Sequence, residues 1–107
     1  MKKRFVLFNL LVLILLFFCS QSNELKVAHQ VTGPGQTNTY LLYETGSKEA
    51  ALFDVGGTID SLESAIEENN LNLKYIFLTH AHPDHIQGIP IIKKKYPQAE
   101  LCLSKEE

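Results

Sequence analysis

The sequence has few cysteines, no excess of basic residues and no apolar run long enough for a comfortable membrane span. Two cysteines among 107 residues argue against a disulfide framework. The 10 basic and 12 acidic residues give a formal net charge of −2, and the only basic cluster is Lys93-Lys94-Lys95. These features give no indication of a nucleic-acid partner. The length allows one small domain at most, and no internal repeat is present.

The N-terminus has the layout of an export signal. Basic residues at positions 2–4 precede an apolar run from Phe5 to Phe18 that only Asn9 interrupts, and a polar segment follows. This pattern predicts a signal peptide over residues 1–18, with an uncleaved anchor helix as the alternative. Its removal would leave 7 basic and 12 acidic groups, a formal charge of −5.

Cys19 predicts a lipid anchor, because Leu16-Phe17-Phe18-Cys19 resembles the bacterial lipobox, in which a leucine lies three residues before the lipidated cysteine. Phe18 departs from the small residue normally found at its position, and the alternatives are ordinary secretion or an uncleaved anchor. We therefore expect an exported bacterial protein, held at a membrane surface by acyl chains or free in the periplasm or outside the cell. Residues 19–24 would form a short polar tether, and residues 25–107 the domain.

Three of the four histidines lie in one short stretch, Thr79-His80-Ala81-His82-Pro83-Asp84-His85. The apolar run at 75–78 predicts a buried strand, so these side chains lie where a strand ends. Imidazole and carboxylate groups are ligands for zinc and other transition metals. His80 and His82 point to the same side of an extended chain, and a bend at Pro83 turns the next two side chains toward a second position. The stretch therefore predicts two ligands for each of two metals, with a histidine-rich loop or a decayed site as alternatives.

This pattern resembles the His-x-His-x-Asp-His signature of the metallo-β-lactamase superfamily. Asn38-Thr39-Tyr40-Leu41-Leu42 is similar to an early strand of that family, and Leu52-Phe53-Asp54-Val55-Gly56-Gly57 is similar to its Asp-x-Gly turn. The resemblance implies a two-zinc site, with iron or manganese as alternatives. It assigns His80 and His82 to the first metal, and Asp84 and His85 to the second. As a ligand, Asp84 would also be the catalytic residue that orients the nucleophile.

The resemblance implies a metal-dependent hydrolase in which a metal-bound hydroxide attacks an ester, thioester, lactam or phosphoester bond of a small molecule. Asp84 followed by His85 favours broad hydrolase branches such as hydroxyacylglutathione hydrolases or lactonases. The family site also needs ligands further along the chain, and no histidine follows His85. We therefore expect the front part of a longer protein, inactive and poorly stable alone. The alternative is a non-catalytic, membrane-tethered metal-binding or decayed fragment. Substrate and oligomeric state do not follow from the sequence.

The remaining patterns predict a mixed α/β (α+β) fold, which by resemblance is the N-terminal half of a four-layer αββα sandwich with the inner face of its sheet uncovered. Helices are expected to begin at Asp60, with that residue as the cap, and near Pro90. Strands are expected over residues 25–29, 38–44, 49–55, 73–79 and 100–103.

Two turns are expected beside the predicted metal loop. Gly33-Pro34-Gly35 indicates a turn, with a substrate flap as the alternative. Asp54 ends the third strand, and its carboxylate is expected to orient a metal-ligating histidine or to bond to turn amides, rather than to bind metal directly. Gly56 and Gly57 are then expected to form a sharp left-handed turn.

Overall fold

The computed structural model describes residues 12–13 and 22–105. From residue 22 onward the elements are, in chain order, β1 (Leu25–Thr32), β2 (Thr37–Glu44), β3 (Glu49–Phe53), α1 (Asp60–Glu68), β4 (Asn72–Leu78), α2 (Pro83–Ile86), α3 (Ile89–Lys95) and β5 (Glu100–Leu103). Every predicted strand is present. The first extends further than expected, and the third ends two residues earlier.

The strands form one five-stranded sheet in the order of the chain. β1, β2 and β3 pair antiparallel, whereas β3, β4 and β5 pair parallel. Parallel neighbours need a crossover, which α1 provides between β3 and β4, and α2 with α3 between β4 and β5. Because β3 and β4 run in the same direction, their carboxyl ends meet at one edge of the sheet. The segments after Phe53 and after Leu78 therefore lie side by side.

One face of the sheet packs against the helices. Leu41, Leu52 and Ile76, on β2, β3 and β4, are each 0% exposed. The helices contribute apolar side chains to the same core, among them Leu62, Ile66 and Ile92. Burial of these side chains on one sheet face is the main stabilising contribution to the fold.

The opposite face of the sheet is apolar and open. Leu25, Val27 and Val31 on β1 are 70%, 63% and 52% exposed. Towards the centre of the same face, the rings of Phe53 and Phe77 stack with centroids 5.2 Å apart. No second layer covers this face in the part of the chain that the structure describes.

The cap of α1 differs from the sequence-based expectation. Asp60 lies inside the first turn, and the residue before the helix, Ile59, makes no side-chain capping bond. The first-turn amides are bound instead from β1. Gln30 Oε1 accepts the N–H of Ser61 at 3.1 Å and that of Leu62 at 3.3 Å. The prediction of Asp60 as the cap is therefore wrong, because a residue distant in sequence supplies the acceptor that the helix needs.

Most of the predicted export region lies outside the described residues. This holds for Cys19 and for the signal peptide over residues 1–18, except for Val12 and Leu13, which are helical. Among the residues described, no helix is long and apolar enough to cross a membrane. The end of the predicted tether contacts the β2–β3 turn, where Thr45 N–H donates to Glu24 O at 2.9 Å. The domain boundary stays a prediction.

Candidate metal centre

Asp54 directly follows β3 in a left-handed conformation, with φ of +58°. Aspartate tolerates this region of backbone space better than most residues. Its N–H donates to Phe77 O at 2.9 Å, which extends the β3–β4 contact by one residue. The chain bends at Gly56 and Gly57 as expected, but neither glycine has a positive φ, so the left-handed conformation predicted there is wrong and occurs at Asp54 instead. Asp54 is buried, with 6% of its surface exposed.

The Asp54 carboxylate binds the segment that follows β4. Oδ1 accepts the backbone N–H of Thr79 at 2.9 Å, and Oδ2 accepts the Thr79 hydroxyl at 2.7 Å. Oδ2 also lies 3.1 Å from Nδ1 of His85, a buried atom without a hydrogen bond of regular geometry. Burial alone raises the pKa of Asp54, but the Thr79 hydrogen bonds and His85 outweigh it and hold that pKa below its ordinary value. Asp54 is therefore ionised at neutral pH.

The predicted metal loop contains one helical turn, α2, which sequence patterns did not predict. Pro83 in its first turn is a helix-start signal that was available. His85 N–H donates to His82 O at 2.9 Å, which closes the turn. The backbone of Val55 makes two hydrogen bonds to this part of the chain. Its N–H donates to His85 O at 2.8 Å, and its O accepts the N–H of Gly88 at 3.0 Å. The loop is thereby attached to the segment that follows Asp54.

The structure brings all four predicted ligands together. The ring centroid of His80 is 4.4 Å from that of His82 and 3.9 Å from that of His85. Asp84 Oδ2 lies 3.5 Å from His85 Nε2. Over residues 12–13 and 22–105, no group of three or more His, Cys, Asp or Glu side chains is arranged around one point for a metal ion. The donor chemistry fits zinc, and the assignment of His80 and His82 to one metal and of Asp84 and His85 to another stays a prediction.

The β1–β2 turn lies beside the metal loop as expected, but the contacts that hold it there were not predicted from the sequence. A Cβ built at Gly35 would lie 2.7 Å from Asp84 Cβ, so only glycine permits this approach. The buried hydroxyl of Thr37 donates to the backbone O of Asp84. Thr32 Oγ1 accepts Gly56 N–H at 3.0 Å on the same side. No local pattern links positions so far apart in sequence, and whether the turn also acts as a substrate flap stays a prediction.

Comparisons with known proteins agree with this geometry. A family model described as the metallo-beta-lactamase superfamily matches residues 32–107. A hydroxyacylglutathione hydrolase from Haemophilus influenzae is 39% identical over 72 residues, which are 67% of this chain and 33% of that protein. An atrochrysone carboxyl ACP thioesterase from Claviceps purpurea is 36% identical over 74 residues, which are 66% of this chain and 24% of that protein. The chain thus spans a third or less of these relatives.

Solved structures give the same result for the fold. The crystal structure of the BLEG-1 B3 metallo-beta-lactamase is 34% identical with a TM-score of 0.66, over 77% of this chain and 38% of that one. A metallo-beta-lactamase from Staphylococcus aureus is 24% identical with a TM-score of 0.66, over 81% of this chain and 26% of that one, and shows the fold alone. The predicted fold class is confirmed. With the His-x-His-x-Asp-His loop, the sheet and the family model in agreement, the chain belongs to the metallo-beta-lactamase superfamily.

Proposed function

We propose that this chain contributes half of the metal centre of a zinc-dependent hydrolase. The observation that carries the proposal is the gathering of three imidazoles and a carboxylate in one loop, beside the buried and ionised Asp54. His80 and His82 would hold the first metal, and Asp84 and His85 the second. Zinc suits this donor set, and iron and manganese are the alternatives.

A bound metal pair would supply a water of lowered pKa and would polarise the oxygen of the scissile bond. The chain's own residues prepare the site for this chemistry. Asp54 lies against His85 Nδ1, so His85 Nε2 faces Asp84 Oδ2 at 3.5 Å. Asp84 is then placed to orient the nucleophile. Because each metal would have only two protein ligands from this chain, and a catalytic zinc usually has three, the 107 residues alone are proposed to be inactive.

The substrate is proposed to be a small molecule with an ester, thioester, lactam or phosphoester bond. The thioester is favoured, because a thioesterase is among the similar proteins and the other curated relative described above is a hydroxyacylglutathione hydrolase. No nucleic-acid partner is proposed, in keeping with the formal charge of −2.

Zinc binding tests the proposal directly. The purified full chain is titrated with zinc, and bound metal is measured by mass spectrometry. We expect zinc to bind and to be lost in His80→Ala/His82→Ala, because that variant removes both ligands of the first metal. His29→Ala is the matched control, since His29 is exposed on β1 and outside the loop. Equal zinc content in the double variant and the control would contradict the proposal, whereas no zinc in any of the chains would mean that ligands from outside this chain complete the site.

The second candidate function is a non-catalytic, metal-binding or decayed fragment. It is compatible with the described ranges, in which no group of three donors is arranged around one point. The genomic DNA beyond Glu107 separates the two candidates. A reading frame that continues to further histidines and an aspartate supports the hydrolase, whereas an immediate stop codon supports the fragment.

Membrane attachment through Cys19 is proposed on the sequence pattern at positions 16–19. We expect cells that express the chain to incorporate labelled palmitate into it, because acylation would add the hydrocarbon that holds the protein at the membrane. The Cys19→Ala variant is expected to take up no label, and Cys102→Ala is the control because Cys102 lies on β5 within the domain. Equal labelling of both variants would rule out Cys19 as the acylation site.

A further inference from the structure

The side chain of Thr79 joins Asp54 to His80. Thr79 Oγ1 donates to Asp54 Oδ2 at 2.7 Å and lies 2.9 Å from Nδ1 of His80. The backbone N–H of Thr79 donates to the other carboxylate oxygen at 2.9 Å. Two bonds to one buried carboxylate hold Thr79 in place, so its hydroxyl faces His80 in a defined orientation.

The number of protons available to Asp54, Thr79 and His80 decides which ring nitrogen of His80 carries the hydrogen. A threonine hydroxyl has one proton, and an ionised carboxylate can only accept hydrogen bonds. The hydroxyl proton therefore lies on the bond to Asp54, and Thr79 Oγ1 can only accept from His80. His80 Nδ1 must then carry the hydrogen. In a neutral imidazole the other nitrogen, Nε2, is left with a free lone pair.

We propose that Thr79 is a positioning residue that sets the tautomer of His80, so that Nε2 and not Nδ1 is presented to a metal. The inference rests on the proposed function, since the tautomer matters to binding only if His80 is a ligand. Metal-ligating histidines commonly bond through their second nitrogen to a carboxylate or another acceptor, which fixes the ring. Here a hydroxyl is inserted between the carboxylate and the ring, because Asp54 Oδ2 already faces His85 Nδ1 at 3.1 Å.

One carboxylate thus serves two predicted ligands that belong to different metals. Asp54 acts on His85 directly and on His80 through Thr79. Loss of the Thr79 hydroxyl should therefore affect the His80 ring and leave the Asp54–His85 contact in place.

The tautomer is measured on the metal-free full chain labelled with ¹⁵N-histidine. Long-range ¹H–¹⁵N correlation spectra are recorded at about pH 8, where imidazole is neutral. We expect hydrogen on Nδ1 of His80 in the wild type and in Thr79→Ser. In Thr79→Val, where no hydroxyl can accept, we expect a substantial Nε2–H population. Thr58→Val is the matched control, because Thr58 is exposed and contributes only its backbone O to the described hydrogen bonds.

Zinc affinity is the second measurement. We expect Thr79→Val to bind zinc about 10–100-fold more weakly than the wild type, and Thr79→Ser and Thr58→Val to bind like the wild type. A wild-type His80 with hydrogen on Nε2, or an unchanged tautomer in folded Thr79→Val, would overturn the inference. If Thr79→Val does not fold, the tautomer of His80 in the wild type alone tests the inference. Since the spectra need no metal, equal zinc binding by the wild type and by His80→Ala/His82→Ala would contradict the proposed function separately.

Discussion

Replacing Gly56 with alanine is expected to lower the free energy of unfolding by about 3 kcal/mol. A Cβ at this position would lie 2.7 Å from Asp84 O, 2.8 Å from Thr32 O and 2.8 Å from Thr37 Cβ. Two of these atoms are backbone oxygens, which cannot rotate away as a flexible side chain does. The added methyl group must therefore separate the metal loop from the β1–β2 turn, and zinc binding should weaken together with stability.

Urea denaturation of the metal-free chain gives the stability change, and a zinc titration gives the affinity. Gly46→Ala is the matched control. A Cβ at Gly46 would meet the side-chain amide of Asn23, an exposed residue that can turn aside. We expect this control to change stability by less than about 1 kcal/mol. Similar denaturation midpoints for the two variants would show that the close approach at Gly56 does not hold the loop.

Replacing Asp54 with asparagine is expected to cost about 2–3 kcal/mol of stability. Asparagine also tolerates the left-handed backbone at φ of +58°, so the change acts mainly on the carboxylate. The amide keeps one oxygen for the Thr79 N–H. Its NH₂ group then replaces Oδ2, which accepts the Thr79 hydroxyl proton and lies 3.1 Å from His85 Nδ1. Charge-assisted hydrogen bonds are replaced by weaker neutral ones, and both histidines lose their orienting group.

Asp60→Asn is the control for this substitution, since Asp60 is exposed in the first turn of α1. Loss of its charge there should lower the free energy of unfolding by about 0.3–1 kcal/mol. Unfolding of the metal-free chain is followed by circular dichroism in urea. If Asp54→Asn is no less stable than Asp60→Asn, the buried carboxylate does not stabilise the loop as its contacts indicate.

Parts of the site that depend on neighbouring residues were predictable, whereas parts that depend on contacts across the fold were not. The apolar run at 75–78 and the spacing of His80, His82 and His85 indicated a strand followed by a ligand cluster, which the structure contains. The left-handed residue was expected at a glycine, where it costs least, but occurs at Asp54. The gain that offsets this cost is the pair of bonds to Thr79, a partner 25 positions away in sequence.

The sequence by itself determined the family, the order of the strands with α1 and α3, and the identity of the candidate ligands. These depend on residue type and on spacings of a few positions, which are visible in the chain. Only the tertiary structure decided that Gln30 caps α1, that Gly35 and Thr37 contact Asp84, and that Asp54 reaches His80 through Thr79. Each of these contacts joins segments that become neighbours only when the parallel strands and the β1–β2 turn meet at one edge of the sheet. No local spacing encodes such contacts, because hydrogen-bond partners are selected by geometry that arises on folding.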